Sequence, residues 1–397
     1  LHSQILRRVA ALAAFSLLSG CGLGHQLFGI GGTEQNASLG QSAAMPAVFG
    51  YAVADEPQAA LVARQILNEG GNAADAAAAE GFALSVTLPS RAGIGGGGAC
   101  IVKMPATDGT AQPPVALIFA AGAPSTSANA SRPAAVPTLA RGLLALQARY
   151  GQLPFASVIV PAERLASGVP VSPALESDLQ IVGNALLADP AAAAVFGPSG
   201  AILPVGANLV QPDLAATFEN LRTQGVQGFY AGAFAQQFAD AAAAAGGGLT
   251  AQDLSEARPQ FTAPDIANTG NLTTAALPNA TPTSQTQPAS ASFMALDKNG
   301  GIVACAVSMN NLFGTGRIAP GTGILLAASP RTTPAATLKA SVTYNQNLNF
   351  RSANTGTGDS AISRANTIAC PNGVPGGEAS CTASADPHGQ GLAIGGR

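Results

Sequence analysis

Hydroxyls and thiols, not imidazoles, are the side chains of this sequence that could do chemistry. Its 397 residues include only His2, His25 and His388. None lies near a cysteine cluster, so no metal site is expected, and the scarcity argues against a Ser-His-Asp hydrolase, whose base is an imidazole. Two hydroxyls are placed by a turn. The apolar runs Ser292 to Leu296 and Ile302 to Ser308 flank Asp297-Lys298-Asn299-Gly300, and Asn-Gly between apolar runs predicts a hairpin. If the register centres on that turn, Ser290 lies across from Ser308 to within about one residue. The thiols divide by setting. Cys100 and Cys305 sit in apolar strand-like runs and read as buried small hydrophobes. Cys370 and Cys381 enclose a glycine- and proline-rich loop, a spacing that predicts a local disulfide in an exported protein.

Export is itself an expectation from the amino end. Arg7 and Arg8 supply a positive region, Val9 to Leu18 an apolar stretch too short to span a bilayer, and Leu18-Ser19-Gly20-Cys21 a small-residue cleavage site of lipobox type. Residues 1–20 thus read as a lipoprotein signal peptide, with Cys21 the lipidated first residue of the mature chain and residues 21–50 a flexible tether. Gly22 after Cys21 is compatible with an outer-membrane lipoprotein facing the periplasm. Lysine and arginine number 18 against 21 acids; no basic patch emerges, and nucleic acid is not an expected partner.

The elements that must position these groups begin at Asp55-Glu56-Pro57-Gln58, a capping-box-like opening followed by apolar residues at helical spacing up to Gly70-Gly71. Asn72 caps a second helix with Asp75 three residues on. After Leu88-Pro89-Ser90 comes Gly93-Ile94-Gly95-Gly96-Gly97-Gly98, leading into a strand over Ala99 to Lys103. Such a run either permits unusual φ angles or lets another element approach the backbone closely. It is a weak phosphate loop, because it precedes a strand and no Lys-Ser/Thr follows. Val115 to Phe119 reads as a strand, Ala140 to Tyr150 as a helix, and residues 155–260 as mostly helical. Residues 265–289, rich in Ser, Thr, Pro, Asn and Gln, read as an exposed, mobile segment. Helices, buried strands and a hairpin suggest a layered α/β protein with a mostly antiparallel sheet core.

Gly70-Gly71-Asn72-Ala73-Ala74-Asp75-Ala76-Ala77 followed by the glycine run resembles the signature of the γ-glutamyltransferases, N-terminal nucleophile hydrolases. Further blocks follow in the family's order: Arg149-Tyr150-Gly151-Gln152-Leu153-Pro154-Phe155, Gly228-Phe229-Tyr230, Leu249 to Leu254, Phe313-Gly314-Thr315-Gly316, Gly321 to Leu326, and the tail Ala385-Asp386-Pro387-His388-Gly389-Gln390-Gly391. The resemblance covers residues 51–397, with an internal deletion before the tail. It implies a four-layer αββα sandwich (α/β, α+β), a large-subunit-like region over 51–289 and a small-subunit-like region over 290–397, the two fragments associating after self-cleavage. The family's nucleophile is a side-chain oxygen at the new amino terminus, whose own α-amine serves as base, so neither histidine nor cofactor is expected.

Carried over by position, the family's Thr-Thr-His-aromatic processing site is Ser290-Ala291-Ser292-Phe293, making Ser290 the candidate nucleophile. Ser308 falls where a threonine supports it, and Asn310 where an asparagine contacts substrate. Thr332 lies near the acid that binds the substrate α-amine, Ala336 and Thr337 near paired serines, and Gly356 and Gly358 near the glycines of the oxyanion site. The family arginine that grips the substrate α-carboxylate becomes Ala120, and a methyl group cannot replace a bidentate guanidinium. Ordinary γ-glutamyl recognition should fail unless Arg317, Arg331 or Arg351 moves in. Two functions follow: an amide hydrolase or acyltransferase of altered specificity acting on a small γ-glutamyl or related amide, or a catalytically inactive lipid-anchored relative serving as a binding or structural protein.

Overall fold

The computed structural model describes residues 42–43, 50–105, 112–126, 130–278, 290–333, 337–357 and 364–396. Cys21, Gly358 and residues 279–289 lie outside these.

Helix α1 (Pro57–Asn68) starts where Pro57 suits the first turn, and its cap is Glu56, whose carboxylate accepts the Ala59 amide at 3.1 Å. Ala59, Val62, Ala63 and Ile66 form the buried stripe, and Gly70, at φ 89°, turns the chain out of the helix. Helix α2 (Ala73–Thr87) opens with a complete capping box between Asn72 and Asp75. All its residues are buried, and its alanine-rich surface lets other elements close on it from several sides. The Asp75 carboxylate also accepts the amides of Gln152 and Leu153 and the Gln147 side chain. Gln147 lies in the last turn of α4 (Leu139–Tyr150), and Gln152 and Leu153 in the turn leading to α5 (Phe155–Ala166), so two separate sequence blocks meet at one carboxylate. After the short α3 (Pro89–Ala92), the remaining helices are α6 (Pro173–Leu186), α7 (Pro190–Phe196), α8 (Pro212–Gln224), α9 (Gln227–Tyr230), α10 (Gly232–Ala244) and α11 (Ala251–Glu256).

The strands in chain order are β1 (Ser42–Ala43), β2 (Gly50–Ala54), β3 (Gly97–Lys103), β4 (Val115–Phe119), β5 (Val169–Pro170), β6 (Asn208–Leu209), β7 (Gln260–Thr262), β8 (Asp265–Thr269), β9 (Leu272–Ala276), β10 (Ser290–Asp297), β11 (Ile302–Ser308), β12 (Ile318–Ala319), β13 (Ile324–Leu325), β14 (Leu338–Asn345), β15 (Phe350–Thr357), β16 (Arg364–Val374), β17 (Thr382–Ser384) and β18 (Leu392–Gly396). Eight form one sheet in the order β1-β18-β2-β10-β11-β3-β4-β7, and six a second in the order β17-β16-β15-β14-β9-β8; β5–β6 and β12–β13 are small separate pairs. Alternation along each strand divides the core in two. Phe293, Ala295, Val303 and Val307 face the helices, whereas Met294, Leu296, Ile302 and Ala304 face Val342, Phe350, Ala353 and Ile368 of the second sheet.

This is the expected α/β sandwich, with helices, first sheet and second sheet as successive layers. Its outer helical layer is not among the described residues, where no α-helix follows Glu256. The outward face of the second sheet instead carries Thr274, Ser341, Thr343, Ser352, Asn354 and Thr367, with hydrogen bonds between Thr274 and Thr343 at 2.9 Å and from Thr367 to Asn354 at 3.1 Å. A polar outer face is the usual way for an antiparallel sheet to end a domain against water.

Two expectations are corrected. Residues 265–276 are not a mobile segment but the hairpin β8–β9, with β9 paired to β14. Their poverty in apolar residues suits strands at a polar sheet edge, where Ala275 and the following Leu277 are buried. Cys100 and Cys305 are buried, yet they are bonded to each other, S–S 2.07 Å. Cys370 and Cys381 form the second disulfide, S–S 2.02 Å.

Candidate active site

The turn at Asp297 to Gly300, with Gly300 at φ 79°, sets β10 against β11 in a register that pairs Ser290 with Ser308. Beyond β11 the ladder continues to β3, where Ser308 faces Gly97. The glycine run serves close approach, and Gly95 to Gly98 all have negative or extended φ. A Cβ on Gly97 would lie 2.4 Å from the Ala121 nitrogen, the Phe119 oxygen and Thr138 Oγ1, and one on Gly96 would lie 2.4 Å from the Ser308 oxygen. The backbone beside the two serines can therefore pack this tightly only without side chains.

Ser290, Ser308 and Asn310 are all buried. Ser308 Oγ accepts the Asn310 amide at 2.8 Å, and Asn310 Nδ2 donates to the Ala328 carbonyl at 2.9 Å. Those bonds hold Asn310 at φ 59°, a left-handed conformation that asparagine tolerates better than most residues. The structure thus groups Ser290, Ser308 and Asn310 at one end of the central hairpin.

The other candidate residues are placed differently. Thr332 is exposed on a turn, its hydroxyl donating to the Ser329 carbonyl at 3.2 Å. Thr337 is partly exposed just before β14. Gly356 lies inside β15, paired with Lys339 on one side and Ala365 on the other. In a strand paired on both edges the N–H belongs to the ladder, so Gly356 is not the expected oxyanion donor. Ala120, in the arginine position, is exposed. Of the possible substitutes, Arg317 is paired with Asp189 at 2.8 Å, Arg351 donates to the Pro371 carbonyl, and Arg331 is exposed next to Thr332.

A buried polar junction lies two residues along β10 from Ser290, and sequence reasoning missed it. Asp55 Oδ2 accepts the Ser292 amide at 2.8 Å, and Asp55 Oδ1 accepts Asn366 Nδ2 at 2.8 Å. Ser292 Oγ accepts from Asn366 Nδ2 at 2.9 Å and from Thr355 Oγ1 at 3.0 Å. Asn366 Oδ1 accepts the Asp386 amide at 3.0 Å, and Asp386 Oδ2 accepts the Ala365 amide at 3.1 Å. Asp55, Ser292, Thr355, Asn366 and Asp386 are all buried, and they tie β2, β10, β15, β16 and the approach to β18 together. The available signals are Asp386 in the tail block and Asp55, two residues before Pro57, which reads as part of a helix cap.

Glu80 of α2 is fully buried, and both carboxyl oxygens lack a hydrogen-bond partner. Burial, reinforced by the charge of Asp55, pushes its carboxyl well above the usual range. A carboxyl raised in the folded state contributes stability at low pH that is lost as pH rises through the folded value. Glu80→Gln should therefore gain stability relative to the parent as pH rises. Urea midpoints at pH 5 and pH 8 check this, and equal differences at both would contradict it.

The model of the gamma-glutamyltranspeptidase family matches residues 59–286. Bacillus subtilis glutathione hydrolase proenzyme is 34% identical over 220 residues, 52% of this chain and 37% of that protein. Acylase ACY 1 proenzyme of Pseudomonas sp. (strain SE83) is 33% identical over 236 residues, 54% of this chain and 42% of that protein. The chain thus spans about two-fifths of the length of these curated relatives. Cephalosporin acylase from Bacillus halodurans shares the fold over 95% of this chain and 100% of its own, with TM-score 0.71 at 16% identity. With more than half its length matched by the family model, the chain belongs to the gamma-glutamyltranspeptidase family.

Proposed function

We propose that this protein is an amide hydrolase or acyltransferase whose nucleophile is the Ser290 hydroxyl, freed by self-cleavage of the Ala289–Ser290 bond. The observation that carries the reading is the register of Ser290 against Ser308 beside the glycine run, with Asn310 held to Ser308. In the precursor, Ser290 Oγ attacks the Ala289 carbonyl, the peptide becomes an ester, and the α-amine of Ser290 is released. Water then hydrolyses the ester, leaving Ser290 at a new amino terminus. In turnover, that amine takes the proton of Ser290 Oγ as the oxygen attacks the substrate amide. The leaving amine departs protonated, and water or an acceptor amine removes the acyl group.

Specificity departs from glutathione-type substrates because Ala120 offers no guanidinium, Arg317 and Arg351 are engaged elsewhere, and Arg331 is exposed on the turn beside Thr332. The amide favoured here lacks a demand for an α-carboxylate clamp. The same observation supports a second reading, a catalytically silent relative acting as a binding or structural protein. In both, lipid on Cys21 holds the protein to the outer membrane, facing the periplasm; among the described residues no helix is long and apolar enough to cross a membrane.

Reducing denaturing electrophoresis with amino-terminal sequencing separates the two readings. Two fragments, one beginning at Ser290, are expected, and an uncut chain after long incubation would leave the silent relative. A γ-glutamyl anilide should be turned over weakly or not at all.

A further inference from the structure

The Ala289–Ser290 boundary separates Cys100 from Cys305 in the chain, and the fold sets them side by side. β3 and β11 are antiparallel neighbours, and Cys100 is the register partner of Cys305. The two are bonded, fully buried, and 205 residues apart in sequence. We infer that after cleavage this disulfide is a covalent staple between the two fragments, so that the mature protein is one two-chain molecule joined by a bond as well as by packing. The inference rests on the self-cleavage proposed above.

The other disulfide cannot do this, because Cys370 and Cys381 both follow Ser290 and lie in the same fragment. The first sheet interleaves the fragments: β18, β10 and β11 come from the second, whereas β2 and β3 come from the first. Cutting the chain therefore turns the β2–β10, β2–β18 and β3–β11 ladders into contacts between separate chains. The staple sits within the β3–β11 ladder, three residues from Gly97 on one strand and three from Ser308 on the other. It keeps the strand end bearing the nucleophile at high effective concentration beside the glycine run, even when the ladders open. Burial also hides both sulfurs, so an attacking thiolate reaches them only after local unfolding. The bond forms by thiol–disulfide exchange: the two cysteine thiols give two protons and two electrons to an external disulfide, which leaves as two thiols.

The test denatures the mature protein with free thiols blocked, then compares intact mass and electrophoretic mobility with and without dithiothreitol. Without reductant, one species is expected, heavier than the uncut chain by one water molecule. With reductant it should resolve into two chains, the second beginning at Ser290, and a non-reducing protease digest should contain a linked Cys100–Cys305 peptide. Cys305→Ala should be cut as fully as the parent yet release both chains without reductant. Its recovery after unfolding and dilution should also depend on protein concentration, whereas recovery of the parent should not. Release of two chains from the parent without reductant, with Cys100 and Cys305 both alkylated, would overturn the staple and leave self-cleavage standing. A single chain even in reductant would remove the cleavage and, with it, a linkage between fragments.

Discussion

Ser290→Ala leaves a single uncut chain under conditions in which the parent is fully processed, and amide turnover falls to background. Removing the nucleophile of an acyl-transfer enzyme costs on the order of 10⁶-fold in kcat, and neither the described histidine nor Ser308 is placed to restore it. Of the three histidines, only His388 is among the described residues, and its amide donates to Asp386 at 2.7 Å in the tail turn. Ser308 lies directly across the ladder, but its oxygen accepts the Asn310 amide, and the backbone at residue 308 is continuous with β11, so it acquires no α-amine of its own. Ser290→Thr keeps a hydroxyl at the same point and should retain processing, as should Ser290→Cys, with the thiolate as attacking group. Persistent cutting at residue 290 in the alanine variant would remove Ser290 from the mechanism. Intact-mass time courses of the four proteins decide the matter. Because Ser290 is at the first position of an edge-free central strand, comparable circular dichroism of all four shows that a lost reaction does not reflect a lost fold.

What could be read in advance follows the range of the signals. The caps of α1 and α2, the glycine run and the Asn299-Gly300 turn are written in residues close together, and the pairing of Ser290 with Ser308 follows from the turn alone. The bond between Cys100 and Cys305 depends on which strand lies beside β11, a choice made by packing across the whole sheet, and each cysteine's apolar neighbours suggested only burial. Residues 265–276 misled because small polar residues are shared by disordered segments and by strands at a sheet edge exposed to water. Gly356 misled because a glycine aligned by likeness carries no information about which neighbours its N–H meets. The polar junction was invisible for a related reason: Asp55, Ser292, Thr355, Asn366 and Asp386 come from distant segments and have no shared motif.

That junction yields the second large effect. Asp55→Ala removes the acceptor of the Ser292 amide and of one Asn366 bond, leaving donors buried between the sheets. An unsatisfied buried donor costs about 1–3 kcal/mol, and the Ser292 amide and the Asn366 side-chain amide each lose an acceptor, so the variant should lose about 2–6 kcal/mol of stability. Asn366→Asp is the sharper probe. It retains size and shape but replaces the Nδ2 donor, which sits 2.8 Å from Asp55 Oδ1, with a second carboxyl oxygen. Two carboxyls at that distance share a proton, so the pair titrates above the ordinary range in the folded state. Groups raised in this way stabilise at low pH and lose that contribution as pH rises, so Asn366→Asp should come nearest the parent in acid and fall behind it towards neutrality. Urea midpoints across that range test the energetics. The half-time of self-cleavage, measured where each variant is still folded, tests the link to function: a junction that fixes Ser292 also fixes the start of β10, and both variants should cleave more slowly than the parent. Unchanged stability in Asp55→Ala would show that these bonds are not coupled to the fold. Unchanged cleavage in a destabilised but folded variant would confine the junction to holding the two sheets together.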